Sequence, residues 1–186
     1  MKFPIPMMMA LAYGVSEAGL RVFKRSRDDS VDADSSTLRI LWITIGLSMT
    51  AGIFASRLVP AMAIESIAVY WLGCALFFLG VVLRWYAILY LGRYFTVNVA
   101  IHSRHEVIDT GPYRQIRHPS YSGSLLAFLG VALSFRNWLT IALIMVPVIW
   151  AFAWRMATEE AALANALGKP YTNYMSRTKR LAPYIY

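Results

Sequence analysis

Hydrophobic residues gather into long runs separated by short polar stretches, and within a run they do not follow the period of an amphipathic helix. The runs cover about residues 3–20, 38–58, 64–91, 122–135 and 138–157. Since a helix that crosses the hydrocarbon core of a bilayer needs about 20 mostly apolar residues, the pattern predicts an all-α, polytopic membrane helix bundle with about five transmembrane helices.

The polar stretches between the runs predict the connections. Residues 21–37 form a polar loop, Pro60 favours a short turn, and Arg136-Asn137 favour a tight turn that makes the last two helices an antiparallel hairpin. We expect one structural domain in two parts. Residues 1–91 hold the N-terminal transmembrane helices, and residues 92–186 hold a polar loop, the hairpin and a C-terminal helix.

The composition supports a membrane protein. Hydrophobic residues make up 58% of the chain and charged residues only 15%, whereas about a quarter of a soluble domain is charged. The net charge of +8 raises the question of a nucleic-acid partner. The cations flank apolar runs, as loop charges of membrane proteins do, so no nucleic acid is expected. Cys74 lies inside an apolar run and is interpreted as a packing residue.

The distribution of cations predicts an orientation. If the N-terminus faces outward and five helices cross, fourteen Lys and Arg residues lie on the inner side and three on the outer side. Inner loops carry the excess of Lys and Arg, so the stretch from Asn98 to Tyr121 and the C-terminus are predicted to face the cytosol. Arg84 lies within the third run, where its side chain is expected to extend to the interface.

All three histidines fall in one polar stretch, as His102, His105 and His118. Their separations match no helical metal-ligand motif, and no cysteine or carboxylate pattern completes them, so no metal site is expected. A second polar segment contains Arg155, Glu159 and Glu160, and the spacing of four residues places Arg155 and Glu159 on one helix face. From spacing alone, an ordinary intrahelical ion pair and a functional site both remain open.

A longer pattern carries a resemblance. Its first part is a Gly-Pro-Tyr turn followed by an Arg-His-Pro-Ser-Tyr helix start, and its second part is an arginine followed by two adjacent glutamates after the hairpin. The residues are Gly111, Pro112, Tyr113, Arg117, His118, Pro119, Ser120, Tyr121, Gly123, Arg155, Glu159, Glu160 and Leu163. This pattern resembles the isoprenylcysteine carboxyl methyltransferase family. The match covers about the last ninety residues and continues through Gly168, Tyr171, Tyr174, Arg177 and Pro183.

The resemblance implies a membrane methyltransferase that uses S-adenosyl-L-methionine, releases S-adenosyl-L-homocysteine and has no Rossmann domain. It implies that residues 92–186 are the catalytic region and that their polar loop binds the cofactor. It also implies that Arg155 and Glu159 are catalytic and that Arg155 reaches the substrate. Carried over position by position, the cofactor-binding residues are Asn98, His105, Glu106, Val107, Ile108, Tyr113, His118, Pro119, Ser120, Tyr121 and Glu159. Asn98 stands where eukaryotic relatives carry Gln.

The chemistry of these side chains suits such a cofactor. Tyrosine faces bind a cation or a flat base, and a carboxylate such as Glu159 accepts from hydroxyls or an ammonium. A guanidinium at Arg155 holds an anionic acceptor.

The expected function is carboxyl methylation of an isoprenylcysteine-like or other lipophilic acceptor that enters from the bilayer, with membrane lipids as neighbours. The alternatives are a phospholipid or small-molecule methyltransferase acting on an amine or thiol, and a membrane binding protein without catalysis.

Overall fold

The computed structural model of the chain describes residues 4–23, 35–92 and 107–183. Within these residues the helices are α1 (Pro4–Phe23), α2 (Ser35–Leu58), α3 (Ile67–Leu91), α4 (Pro119–Ser134), α5 (Trp138–Leu167) and α6 (Lys169–Arg177). Short 3-10 helices lie at Pro60–Met62 and Gly111–Arg114. The described residues contain no strand beyond two isolated bridges.

The predicted all-α membrane bundle is confirmed. Three helices are long and apolar enough to cross a bilayer, over Thr37–Leu58, Ile67–Leu91 and Trp138–Leu167. The first apolar run forms a shorter helix over Ile5–Leu20, and α4 has only 16 residues. The number of five crossing helices therefore stays a prediction.

Helix α5 extends ten residues beyond the end expected from hydrophobicity, to Leu167. The run loses its apolar character at Thr158, but Glu, Ala and Leu are strong helix formers, so the helix continues until Gly168 at φ 60° ends it. Thirty residues span about 45 Å at about 1.5 Å each. This exceeds the hydrocarbon thickness of about 30 Å, so the last turns can carry Glu159 and Glu160 beyond the bilayer core.

The close contact of α3 with α4 depends on glycine. A Cβ atom at Gly80 would lie 2.4 Å from the backbone nitrogen of Ala127, and one at Gly123 would lie 2.5 Å from that of Arg84. Gly73 and Gly130 meet in the same way one layer away. Small residues that let helix backbones touch are the usual basis of packing inside a membrane, and they explain how the short α4 lies buried in the bundle.

The hydrophobic core lies where α1, α2, α4 and α5 meet, and its buried members are Tyr13, Leu41, Ile45, Ala127, Phe128, Val148, Ala151 and Phe152. Helices from the two predicted halves of the chain thus pack together. Helix α2 also contacts α5 through the Thr140 hydroxyl, which donates to the Gly52 carbonyl at 2.9 Å.

The predicted turns at Pro60 and at Arg136-Asn137 lie together at one end of the bundle, which we call the turn end. The Ile64 amide donates to the Arg136 carbonyl at 2.7 Å, and the Asn137 amide group donates to the Val59 carbonyl at 2.9 Å. Asn137 also caps α5 by accepting from the Thr140 amide at 3.0 Å. The opposite end, where Tyr113, His118 and Glu159 lie, is called the polar end below.

The expectation that the Arg84 side chain extends to the membrane interface is wrong. The side chain stays inside the bundle, where it contacts Glu17 of α1. The guanidinium donates two hydrogen bonds to the Glu17 carboxylate, Nη2 to Oε2 at 2.6 Å and Nε to Oε1, and Nη1 donates to the Ser124 hydroxyl at 2.7 Å. Arg84 and Glu17 are 9% and 6% exposed, so the pair joins α1, α3 and α4 through buried charges.

Glu17→Ala should lower the free energy of unfolding by about 3–5 kcal/mol, because it leaves the buried Arg84 cation without its carboxylate. Thermal unfolding in detergent measures the loss. Glu65→Ala serves as the control, since Glu65 is an exposed carboxylate at the turn end, and its stability should match the parent within about 0.5 kcal/mol. Equal stability of Glu17→Ala and the control would show that the pair contributes nothing.

Candidate active site

The Gly-Pro-Tyr turn places Tyr113 between α3 and α6. Gly111 has φ 54°, and a Cβ there would lie 2.3 Å from the Tyr90 ring, so another residue would strain the backbone and displace that ring. The Tyr113 hydroxyl donates to the Ala87 carbonyl at 3.2 Å, and the Tyr174 hydroxyl donates to the Tyr113 carbonyl at 2.7 Å. Burial raises the pKa of Tyr113 and of Tyr174, and the Glu159 carboxylate raises that of Tyr113 further. Both phenols therefore stay protonated donors.

Helix α4 begins at Pro119, which needs no amide partner in the first turn. The carbonyl of His118, the residue before it, accepts from the Tyr121 and Ser122 amides, each at 3.0 Å. The His118 ring is 5% exposed and lies parallel to the Tyr121 ring, with centroids 5.3 Å apart and planes 8° apart. The start of α4 therefore fixes the two rings against each other.

Tyr121 links the two residues of α5 that the sequence placed on one face. Its hydroxyl donates to Glu159 Oε2 at 2.7 Å and accepts from Arg155 Nε at 3.0 Å. Arg155 Nη1 donates to the Thr37 hydroxyl at the start of α2, at 3.1 Å. Arg155 is 3% exposed, so its guanidinium lies inside the bundle with its direction set by Tyr121 and Thr37.

The adjacent Glu160 has a different environment. It is 2% exposed and accepts from Arg117 Nε at 2.7 Å, from His118 Nε2 at 3.1 Å and from Arg180 Nε at 3.0 Å. Glu159 is only half-buried, and its Oε1 accepts no hydrogen bond from any residue that the structure describes. Within the described part of the chain, the Glu159 carboxylate thus has one oxygen without a hydrogen bond, whereas both oxygens of Glu160 accept hydrogen bonds.

The sequence profile of the phospholipid methyltransferase family matches residues 68–170, more than half of the chain. The chain belongs to this family. The matched segment includes all of α4 and α5, and it contains Tyr113, His118, Tyr121, Arg155 and Glu159.

The relatives of this methyltransferase family member include proteins named protein-S-isoprenylcysteine O-methyltransferase. Protein-S-isoprenylcysteine O-methyltransferase B of Arabidopsis thaliana is 33% identical over 116 residues, which are 61% of this chain and 58% of the relative. A probable protein-S-isoprenylcysteine O-methyltransferase of Oryza sativa subsp. indica is 32% identical over 137 residues, 69% of this chain and 71% of the relative. The chain thus matches between about half and three quarters of the length of these relatives.

A solved structure of a eukaryotic isoprenylcysteine carboxyl methyltransferase, described as an intramembrane Ras methyltransferase, has the same fold. It superposes with a TM-score of 0.72 and 26% sequence identity, over 97% of this chain and 65% of the other. The resemblance inferred from the Gly-Pro-Tyr and Arg-His-Pro-Ser-Tyr motifs is confirmed.

The structure of this methyltransferase family member brings most of the predicted site residues to the polar end. Tyr121, Arg155 and Glu159 form one hydrogen-bonded chain, with the His118 ring against Tyr121. Tyr113 is an anchor, 7% exposed, rather than an open ligand surface. Of the other predicted residues, Pro119 and Ser120 lie in the first turn of α4, and Val107 and Ile108 precede the Gly-Pro-Tyr turn without regular secondary structure. Asn98, His105 and Glu106 lie outside the described residues.

Two contacts of the site were missed by sequence reasoning. Thr37 lies 118 residues from Arg155 in the chain, and Arg180 lies beyond the last helix, so no local pattern pointed to either. Glu160 and Arg117 were part of the motif, but nothing in the spacing showed that they meet. The described residues contain no group of three or more His, Cys, Asp or Glu side chains that could hold a metal ion.

Proposed function

We propose that the chain is an S-adenosyl-L-methionine-dependent membrane methyltransferase that esterifies the carboxylate of an isoprenylcysteine-like or other lipophilic acceptor. The observation that carries the proposal is the half-buried Glu159 beside the buried Arg155. One oxygen of Glu159 accepts from Tyr121, and the other accepts no hydrogen bond from residues 4–23, 35–92 or 107–183. The names of the relatives, protein-S-isoprenylcysteine O-methyltransferases, support the choice of reaction.

The side chains at the polar end fit this cofactor. Glu159 Oε1 can accept from a ribose hydroxyl or from an ammonium group, and the Tyr121 ring offers a face to a cation or a flat base. When bound, S-adenosyl-L-methionine supplies a methyl group on a positively charged sulfur, which is already electrophilic. The chain's own residues then have two tasks, which are to hold that group and to align the acceptor with it.

Arg155 is proposed to hold the acceptor. A terminal carboxyl group has a pKa of about 3.3–3.7, so it is ionised at neutral pH and no base has to remove a proton before methyl transfer. What the reaction requires is a cation that orients the carboxylate, and a guanidinium does so with two parallel hydrogen bonds. The contacts of Arg155 with Tyr121 and Thr37 set its direction.

A second candidate is methylation of a phospholipid amine, which the match to the phospholipid methyltransferase profile favours. An amine is protonated at neutral pH, so this reaction needs a base as well as alignment. Glu159 is the carboxylate with an open oxygen that could take that proton.

The acceptors are separated by supplying methyl-labelled S-adenosyl-L-methionine to the purified protein in lipid. The acceptors compared are a farnesylated cysteine with a free carboxylate, its carboxamide, and phosphatidylethanolamine. Carboxyl methylation predicts label in the free acid alone, and mild base should release that label as methanol because esters hydrolyse. Base-stable label in phosphatidylethanolamine would establish the second candidate. Labelling of none of the three would contradict both candidates and leave a methyltransferase for small amines or thiols, or a binding protein.

We also propose that the polar end and the C-terminus face the cytosol. The support is the excess of Lys and Arg in the segments at that end of the bundle. A reporter fused after Tyr186 should register as cytosolic, and one inserted at Ala61, at the turn end, should register as external. The opposite pattern would place the site on the outer face.

A further inference from the structure

The chain after α6 packs beside the start of α4 as a short backbone ladder. The Lys179 amide donates to the Gln115 carbonyl at 3.0 Å, the Arg117 amide donates to the Lys179 carbonyl at 2.7 Å, and the His118 amide donates to the Arg180 carbonyl at 3.0 Å. Ser122 in the first turn of α4 donates to the Leu181 carbonyl at 2.6 Å. This stretch, residues 178–183, is called the C-terminal segment below.

Glu160 ties the C-terminal segment to the site by side chains as well. Its Oε2 receives Arg180 Nη2 at 2.8 Å, while its Oε1 receives Arg117 and His118. Arg117 Nη1 in turn donates to the Met175 carbonyl at 3.1 Å and to the Thr178 carbonyl. A carboxylate this enclosed has no oxygen left for a ligand, so its influence on a ligand has to pass through its neighbours.

The path from Glu160 to the open carboxylate is short. A carboxylate only accepts hydrogen bonds, so the contact with His118 requires a proton on Nε2 of the ring. The His118 ring lies parallel to Tyr121, and the Tyr121 hydroxyl holds Glu159 Oε2. If Glu160 moves, the His118 and Tyr121 rings can move with it, and the position of the Glu159 carboxylate then changes as well.

We propose that Glu160 and Arg180 are a positioning pair. They couple the C-terminal segment to the ligand-facing Glu159 through His118 and Tyr121, and they set cofactor affinity without touching the cofactor. The inference rests on the proposed function. The contacts of Glu160 suit this role. Its carboxylate accepts hydrogen bonds from three side chains of two separate segments, and this holds the two segments in one relative position.

Two adjacent cations of the C-terminal segment supply a matched test. Arg180 contacts Glu160, whereas the exposed Lys179 side chain makes no hydrogen bond within the described part of the chain. Calorimetric titration with S-adenosyl-L-methionine, well below each variant's unfolding temperature, should show about tenfold weaker binding by Arg180→Ala. A tenfold change in affinity corresponds to about 1.4 kcal/mol. Lys179→Ala should bind within about twofold of the parent, and Arg180→Lys should recover most of the affinity.

The outcomes separate the inference from the function it rests on. A parent protein that is folded but binds no cofactor overturns the proposed function, and the inference falls with it. A parent that binds, together with an Arg180→Ala variant that binds equally well, overturns the inference alone. Equal weakening by Arg180→Ala and Lys179→Ala also overturns it, because the effect would then depend on charge and not on the contact with Glu160. A lower unfolding temperature with unchanged affinity assigns the pair to stability only.

A spectroscopic measurement needs no cofactor. In protein labelled with ¹⁵N-histidine, the signals of His118, assigned by their loss in His118→Asn, should show a proton on Nε2. In Glu160→Gln they should shift toward a mixture of the two tautomers, and in Lys179→Ala they should match the parent. Identical His118 signals in the parent and Glu160→Gln would contradict the control of this ring by Glu160.

Discussion

Arg155→Lys should lower kcat/KM for methyl transfer by about 100-fold, or about 2.7 kcal/mol. The guanidinium uses Nε for Tyr121 and Nη1 for Thr37, and a lysine has a single nitrogen that cannot keep both contacts and present two parallel donors to an acceptor carboxylate. The charge is retained, so the loss would come from geometry. Initial rates with a prenylated cysteine acceptor give the first quantity, and calorimetry gives the cofactor Kd, which should change by less than about threefold.

The control for this variant is Arg114→Lys, an exposed arginine of the 3-10 helix Gly111–Arg114 at the same end of the bundle. It should keep the parent's rate and affinity. If Arg155→Lys lowers rate and cofactor affinity in parallel, Arg155 supports Glu159 through Tyr121 and does not hold the acceptor. If neither quantity changes, an anionic acceptor held by Arg155 is ruled out.

Glu159→Gln should weaken S-adenosyl-L-methionine binding by about 10- to 100-fold, equivalent to about 1.4–2.8 kcal/mol. The substitution removes the negative charge from the half-buried side chain whose Oε1 is open. Stability should stay close to the parent's, because among the described residues the hydrogen bond from Tyr121 is the one contact at stake. Calorimetric titration and thermal unfolding of the same preparation measure the two quantities.

Glu160→Gln is the matched comparison, because it makes the same chemical change one residue along the helix. There Arg117, His118 and Arg180 lose the buried carboxylate that they share, so the unfolding temperature should fall clearly. An unchanged cofactor affinity in Glu159→Gln would show that the open oxygen is not part of the cofactor site.

The helices were predictable because the bilayer selects long apolar runs, and α2, α3 and α5 begin or end within a few residues of those runs. Hydrophobicity did not predict the end of α5, because the helix continues past Thr158 through residues that are no longer apolar but still favour a helix. It failed again at Arg84, because a partner 67 residues away decides whether a buried cation turns inward or extends to water. Neither the length of α5 nor the direction of the Arg84 side chain can be predicted from the hydrophobicity of the neighbouring residues.

The site was predictable in part and for a different reason. The four-residue spacing correctly placed Arg155 and Glu159 on one face, and the family resemblance named Tyr121 and His118. Spacing does not show which of two adjacent glutamates is enclosed. That depends on Arg180, which the backbone ladder with Arg117 and His118 brings back to the start of α4.

Photochemical crosslinking tests most directly whether the polar end holds the cofactor. Methyl-labelled S-adenosyl-L-methionine is irradiated with the protein in lipid, and the labelled peptides are identified by mass spectrometry. The label should appear in peptides that contain Tyr121 or Glu159, and excess S-adenosyl-L-homocysteine should prevent it. Competable label confined to peptides of the turn end, around Pro60 or Arg136, would contradict the assignment of the cofactor site.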